Sequence, residues 1–223
     1  VATFCYQLCN QQVPKIDQDG VLKLIYIDEL ADVIINAIET QNNEAVYTVL
    51  PTSTISVSEI LVKLNGFMEL YLKQGIFPEM KDKLTVHLFN TFRSYIDHKT
   101  YFPFPLKTHA DNRGVFVEMI RLQTGGQVSG STTNPDVTRG NHFHTMKMLR
   151  FLGIKGKALI QLRKYNTEEV LNFELDGNRP AYVDMPVWYT HNIKNIGTEE
   201  LYTVFWINEF FDQQDPDTYF ETV

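Results

Sequence analysis

The chain has 223 residues, a formal net charge of −7, 43% hydrophobic residues and 21% charged residues. This balance is typical of a folded protein and excludes a disordered chain, and the acidic charge argues against a broad nucleic-acid-binding surface. No run approaches the ~18 apolar residues that a membrane-spanning helix needs. Residues 1–20 lack a secretory signal, so we expect a cytoplasmic protein. Cys5 and Cys9, spaced for one helix face, are expected to be buried thiols.

The first region mixes short strands with helical periods. Residues 22–27 are apolar and rich in β-formers, which predicts a strand. Asp28 is then expected to cap a helix that runs from Glu29 to about Thr40. The run from Val46 to Leu50 predicts another short strand.

A second helical stretch follows. Ser56 and Glu59 form a capping-box pattern before an apolar helical period. Gly66 is expected to weaken or end this helix. Residues 67–100 are predicted to be mainly helical.

Residues 101–106 carry Pro103 and Pro105 and predict an extended connector, where we place a domain boundary between residues 1–106 and 107–223. Beyond it, short apolar runs alternate with turn residues, which predicts a β-sandwich or barrel and an α+β chain overall. The predicted strands are Val115–Ile120, Leu149–Leu152, Ala158–Arg163, Val170–Leu175, Tyr182–Met185 and Tyr202–Ile207.

The histidines are unevenly distributed. His142 and His144 form a His-x-His pair, and on a strand such a pair projects to one face, where two imidazoles can bind Zn²⁺. The isolated His87, His98 and His109 are interpreted as surface or structural groups.

The pair and a later segment, residues 186–195, resemble the cupin family, whose fold is a jelly-roll barrel. The matching positions are His142, His144, Gly156, Pro186, His191 and Asn195. Two positions depart: Leu149 occupies the slot of the usual glutamate ligand, and Trp188 occupies a glycine slot. The resemblance implies that His142, His144 and His191 bind zinc, with Gln127 as a further possible ligand.

A narrower resemblance links residues 111–118 to the opening motif of the 4-keto-6-deoxyhexose 3,5-epimerases, which are cupin-fold sugar-nucleotide enzymes. Gln127, residues 139–142, Lys147 and Arg150 fit later positions of that family.

The epimerase resemblance also implies roles for individual residues. Arg113, Glu118, Gln127 and Arg139 would bind the nucleotide sugar, often across a dimer interface, so we expect a homodimer. The alternative for Arg113 and Glu118 is a surface ion pair, which contributes little to stability.

Residues 24–31 resemble a late segment of the extended short-chain dehydrogenase/reductases. No glycine-rich dinucleotide fingerprint occurs, and Tyr95 and Lys99 match the family's Tyr-x-x-x-Lys pair only by spacing, in the wrong order. The chain, including residues 208–220, is thus similar to bifunctional capsular-polysaccharide enzymes that join such a reductase to an epimerase cupin. We expect it to lack about 150 residues of such an enzyme and to transfer no hydride, because NADPH serves only the missing half.

The resemblance implies C3 epimerisation of a UDP-linked 2-acetamido-4-keto-6-deoxyhexose. His142 is either a metal ligand or, without an ion, the catalytic base. Lys147 is a candidate electrostatic partner or proton donor, and Tyr165 and Tyr189 are candidate acids.

Two other functions stay open. The barrel could be a non-catalytic sugar-nucleotide-binding or dimerisation module, or a metal-dependent dioxygenase or isomerase of the wider cupin family. The resemblance at residues 111–118 argues against the last of these.

Overall fold

The computed structural model describes residues 1–40, 46–111, 114–117, 119–210 and 212–223. Across these ranges, its helical elements are α1 (Ala2–Cys9), α2 (Ile27–Glu39), α3 (Val57–Phe67), a π-helical turn (Met68–Leu72), α4 (Lys83–Arg93) and α5 (His98–Tyr101). Its strands are β1 (Val21–Leu24), β2 (Ser53–Ser56), β3 (Phe104–Pro105), β4 (Thr108–Asp111), β5 (Gly114–Val117), β6 (Gln127–Thr133), β7 (Thr138–Phe143), β8 (Leu149–Lys155), β9 (Lys157–Lys164), β10 (Val170–Asp176), β11 (Ala181–Met185), β12 (Tyr189–Asn195), β13 (Leu201–Ile207) and β14 (Tyr219–Phe220). None of the helices in the described ranges has the length and apolar character needed to cross a membrane.

Helix α2 begins earlier than its sequence predicts. Tyr26 is the N-cap residue, and its backbone N–H donates to the Glu29 carboxylate at 3.3 Å. Asp28 therefore lies inside the first turn, and the prediction that it caps the helix is wrong. Its carboxylate lies at the amino end of the helix, which carries partial positive charge, but burial and the charge of Asp32 raise its pKa.

The strand predicted from Val46 to Leu50 is also misplaced. That run has no strand structure, and the sheet partner of β1 is β2, which pairs with it antiparallel. Val46 and Leu50 are 80% and 77% exposed, so an apolar run here does not mark a buried strand. The β2 residues alternate in burial instead, as expected for a strand with one covered face.

The capping box at α3 is confirmed. The Ser56 hydroxyl accepts from the Glu59 N–H at 3.2 Å, and the Glu59 carboxylate accepts from the Ser56 N–H at 3.0 Å. Gly66 does not end the helix, which runs on to Phe67 and into the π-helical turn. Residues 67–100 are helical only in part, because the chain between that turn and α4 is irregular.

The helices pack around one apolar core. The predicted thiol pair belongs to it: Cys5 is buried, Cys9 is half-buried, and both are free. Phe77 carries the contact to the barrel, because its ring lies 4.4 Å from that of Trp206 in β13. Other members of this core are Leu64, Tyr71, Phe89, Phe92 and Met148.

Two five-stranded antiparallel sheets form the barrel, as far as the described residues show. Their strand orders are β10-β9-β12-β7-β14 and β3-β11-β8-β13-β6. A second apolar core lies between the sheets and draws residues from both, including Leu152, Ile160, Leu162, Phe173, Val183 and Ile193. The predicted connector contributes to the barrel, since β3 pairs with Ala181 and Tyr182 at an edge position that tolerates proline.

The apolar strands of the barrel lie where the sequence predicts them, as β8, β9, β10, β11 and β13. Strand β5 ends at Val117, short of the predicted Ile120. The polar strands β6, β7 and β12 have no counterpart among the predicted apolar runs. Two of these, β7 and β12, carry histidines of the candidate site.

Candidate metal centre

Three histidines meet inside the barrel. His142 lies in β7, His144 follows that strand, and the register pairs His142 with His191 of β12. The His142 ring centroid lies 4.6 Å from that of His191 and 4.9 Å from that of His144, and the remaining pair is 5.3 Å apart. Their ligand nitrogens all lie within 4.8 Å of one another. The structure therefore brings together the three residues that the cupin resemblance selects.

Two backbone features allow this approach. Gly140 in β7 has a φ of +99°, and a Cβ there would lie 2.9 Å from the carbonyl oxygen of His191. Glycine is thus required where β7 meets the irregular register of β12. Trp188, which occupies the cupin glycine slot, has a φ of +61°, so the chain keeps the glycine-like turn with a tryptophan.

Hydrogen bonds fix the tautomers of two rings. Nδ1 of His144 donates to the carbonyl oxygen of Asp217, and Nδ1 of His191 donates to that of Tyr189 at 3.2 Å. A carbonyl only accepts, so in both rings Nδ1 carries the proton and Nε2 keeps a lone pair. Both Nε2 atoms are buried and have no hydrogen-bond partner among the described residues.

Burial keeps the three imidazoles neutral. It is the largest cause that lowers their pKa values, and the neighbouring His144 lowers the pKa of His142 further, to about 4. The pKa of His191 lies well below its ordinary value, because its ring is buried against the other two histidines. Neutral imidazole is the form that binds a metal, so no proton has to leave at neutral pH.

The donor set fits zinc. Three imidazole nitrogens, two of them buried without partners among the described residues, are the kind of donors that an open tetrahedral zinc site uses. Leu149, in the glutamate slot, lines a cavity together with His142 and His191 and is 5% exposed. Its side chain is apolar, so this slot offers no oxygen ligand. The Gln127 amide nitrogen donates to the Ser129 hydroxyl at 3.0 Å. Its role as a ligand stays a prediction.

His142 and His191 line a cavity of about 380 Å³. Its other walls are apolar at Leu149, Phe151 and Phe205, and Arg139 lies at its exposed side. The Arg139 guanidinium donates to the carbonyl oxygen of Thr132 at 2.8 Å. A cation beside neutral imidazoles favours an anionic ligand.

Lys147 lies elsewhere. It is 3% exposed, and its ammonium donates to the carbonyl oxygens of Pro216 at 2.7 Å and Asp215 at 3.3 Å. It borders a second cavity, next to Glu209, rather than the histidine cavity. Its catalytic role stays a prediction.

The candidate acids Tyr189 and Tyr165 also lie outside the lining of the histidine cavity. The Tyr189 ring packs edge-on against His98, at 5.1 Å between centroids. The Tyr165 ring contacts Phe143 and Trp188, and it is 45% exposed. Their roles as acids stay predictions.

Two predicted substrate contacts cannot be located. Arg113 and Glu118 lie outside the described residues. One functional candidate was missed by the sequence reasoning: Asp217, whose carbonyl accepts from His144. Its only signal in the sequence is the Asp-Pro-Asp segment, residues 215–217, which no metal-site motif includes.

The two facing antiparallel sheets with the three histidines between them form a double-sheet barrel, which is the fold class that the cupin resemblance predicts. Residues 109–219 match the family model of the polysaccharide biosynthesis C-terminal domain.

Known proteins match nearly the whole chain. It is 33% identical to the UDP-2-acetamido-2,6-beta-L-arabino-hexul-4-ose reductase of Pseudomonas aeruginosa, over 98% of this chain and 59% of that protein. It is 34% identical to the capsular polysaccharide assembling protein CapF from Staphylococcus aureus, over 99% of this chain and 65% of that chain, with a TM-score of 0.46. This similarity to CapF is the one that the motifs predict.

A more distant solved structure matches about half of the chain. It is NovW, a 4-keto-6-deoxy sugar epimerase from Streptomyces spheroides, at 17% identity over 49% of this chain and 64% of that one, with a TM-score of 0.43. The chain spans less than two thirds of the length of the reductase and of CapF.

Proposed function

We propose that the barrel catalyses C3 epimerisation of a UDP-linked 2-acetamido-4-keto-6-deoxyhexose in the synthesis of a surface polysaccharide precursor. The observation that carries the proposal is the histidine cavity with Arg139 at its side. The choice of substrate is supported by the 33% identity of the chain to a reductase named for a UDP-linked 2-acetamido hexulose.

The chemistry suits such a cavity. A ketone at C4 makes the C3 proton acidic, a base removes it, and negative charge develops on the C4 oxygen. Return of a proton to the opposite face of C3 inverts that centre. Zinc, when bound by the three histidines, supplies polarisation of a carbonyl oxygen.

The chain's own residues divide the remaining work. His144 and His191 hold the ion through Nε2, while the walls at Leu149, Phe151 and Phe205 exclude water. Arg139 binds the negative charge of the diphosphate through charge-assisted hydrogen bonds. With an ion bound, His142 is a ligand. Without one, burial lowers the pKa of His142 to about 4, so the imidazole is unprotonated at neutral pH and is the candidate, although weak, base for the C3 proton.

Proton exchange at C3 tests the proposal. The protein is incubated with the UDP-linked 4-keto-6-deoxy sugar in D₂O without NADPH, and the C3 proton is followed by NMR. We expect wild type and His109→Ala to lose the signal and His144→Ala to keep it. His109 is a matched control because it is exposed and is not one of the three clustered histidines.

The second candidate function is a sugar-nucleotide-binding or dimerisation module without catalysis. The observation that favours it is Leu149, which leaves the cavity without the carboxylate that cupins of the usual pattern have. Binding of the sugar nucleotide with full retention of the C3 proton in wild type would support this function and contradict epimerisation.

We further infer that NADPH-dependent reduction needs the part of these relatives that this chain does not match. This chain should therefore not oxidise NADPH with the same substrate. A homodimer in the cytoplasm stays our expectation. Sedimentation velocity of the protein at micromolar concentration, in which a monomer would contradict it, tests the dimer.

A further inference from the structure

We propose that Asp217 is a positioning residue for the metal centre, which holds His144 in the tautomer and orientation that a ligand needs. This inference rests on the zinc site of the proposed function and extends it to the C-terminal tail, residues 212–223. The tail reaches the site from a point 73 residues further along the chain.

Asp217 binds the His144 segment through two of its groups. Its carboxylate accepts from the N–H groups of Thr145, Met146 and Lys147 at 2.8–2.9 Å, and from the Thr145 hydroxyl at 2.7 Å. Its backbone carbonyl accepts from Nδ1 of His144. One residue therefore fixes both the ring and the turn that follows the ring.

The ring contact determines which nitrogen faces the centre. With Nδ1 protonated and bound to the Asp217 carbonyl, only Nε2 of His144 can donate a lone pair. That atom is buried and has no hydrogen-bond partner among the residues described. Outer contacts of this kind orient metal-bound histidines and raise their basicity.

The tail is itself attached on both sides of Asp217. Before it, the carbonyl oxygens of Asp215 and Pro216 accept from the Lys147 ammonium. After it, β14 pairs with β7, and Phe220 lies opposite His142. The tail thus pairs with β7, the strand that carries His142, and also contacts the ring of His144. Asp217 lies between the two parts of the tail that are held in place.

Metal affinity tests the inference, with zinc alone as the probe and the full chain as the protein. We expect Asp217→Asn to weaken zinc binding by about 10- to 100-fold, because the amide cannot accept the full set of N–H donors. The matched control is Asp212→Asn in the same tail, where the carboxylate is exposed and, among the described residues, accepts from the Gln214 N–H. Circular dichroism shows whether each variant folds.

Two spectroscopic measurements separate positioning from general stability. The visible absorption of the Co²⁺-loaded protein reports ligand geometry, and we expect Asp217→Asn to change its bands while Asp212→Asn does not. In the wild type, ¹⁵N NMR should show His144 protonated at Nδ1 and not at Nε2 before any metal is added. This second measurement needs no variant.

The outcomes separate this inference from the proposed site. A wild type that binds zinc, with Asp217→Asn equal to it in affinity and in Co²⁺ spectrum, overturns the role of Asp217 alone. Protonation of His144 at Nε2 in the metal-free wild type also overturns it. A wild type that binds no zinc, or a His144→Ala variant that binds it equally well, overturns the zinc centre and this inference with it.

Discussion

Arg150 and Asp184 form a two-point ion pair in the interior, with Nε–Oδ1 and Nη2–Oδ2 distances of 2.7 and 2.9 Å. Both side chains are 1% exposed or less. The pair also connects the barrel to the helices, because the Tyr71 hydroxyl donates to Asp184 at 2.5 Å and Arg150 donates to the Gly75 carbonyl at 2.6 Å. A buried ion pair and its hydrogen bonds therefore connect the helical region to the barrel, in addition to the apolar contact between them.

Removal of the carboxylate charge should be costly. We expect Asp184→Asn to lower the free energy of unfolding by about 3–5 kcal/mol, because it leaves a buried guanidinium without its counter-charge. Urea unfolding at pH 7 measures the change. The control is Glu69→Gln, which removes the partner of Lys73 in an exposed pair and should leave stability unchanged. Equal, small effects of both substitutions would contradict the prediction.

A carboxylate in the empty ligand slot should strengthen metal binding. Leu149→Glu places an acid in the cavity wall beside His142 and His191, so we expect the Kd for zinc to fall by about tenfold or more. Leu149→Gln is the matched control, of similar volume without the charge. Calorimetric titration with zinc measures both.

The same substitution should weaken the metal-free protein, because it buries a carboxylate that then has no ion. A lower Tm without zinc and a recovered Tm with zinc is the expected pair of results. An unchanged zinc affinity in Leu149→Glu would show that this wall does not face the ion.

Stability should fall in mild acid through His98. Burial, assisted by the nearby Arg93 charge, lowers the pKa of His98 to about 4. The unfolded chain takes up a proton near pH 6.5 while the folded chain does not, so the stability present above pH 6.5 is lost between pH 6.5 and about 4. The contribution amounts to about 3 kcal/mol.

The His98 effect can be isolated by difference. His98→Phe keeps an aromatic ring beside Phe102 and Tyr189 but cannot be protonated. Urea unfolding of the zinc-free proteins between pH 7 and 4 should show a smaller loss of stability for the variant. Parallel pH curves for the two proteins would mean that His98 does not titrate as described.

Arg139 should govern affinity for the diphosphate. Under the proposed function, we expect Arg139→Gln to weaken UDP binding by about 10- to 100-fold and Arg139→Lys to weaken it less, because only the charge is then kept. Lys157→Gln, an exposed position outside the lining of this cavity, should leave affinity unchanged. Calorimetric titration with UDP distinguishes them, and an unchanged Arg139→Gln would remove this residue from the binding site.

Hydropathy in the sequence predicts the apolar strands of the barrel but does not predict its polar strands. Strands β8, β9 and β13 are apolar runs, and each forms a strand where it is predicted. In β12 the buried side chains include Thr190, His191 and Asn192, whose polarity hides a strand that lies inside the barrel. Such residues are typical of a strand that lines a site, where polar groups meet one another or a ligand instead of water.

The histidines could be found because spacing alone places His142 and His144 together, and a motif adds His191. The contacts of Asp217 and of Arg150 could not, since each depends on a partner more than 30 residues distant. Neither contact leaves a local pattern in the chain. Both become visible only when the tail lies along β7 and the helices lie over the second sheet.

The distance in sequence between His144 and the Asp217 carbonyl also has a consequence in time. At about 5–20 residues per second, a ribosome needs roughly 4–15 s to add the 73 residues that separate them. Through that interval the nascent chain already contains His142 and His144, but it lacks the Asp217 carbonyl that orients the His144 ring. Under the proposed function, a nascent chain halted before residues 212–223 emerge would therefore lack the contact that orients His144 for zinc.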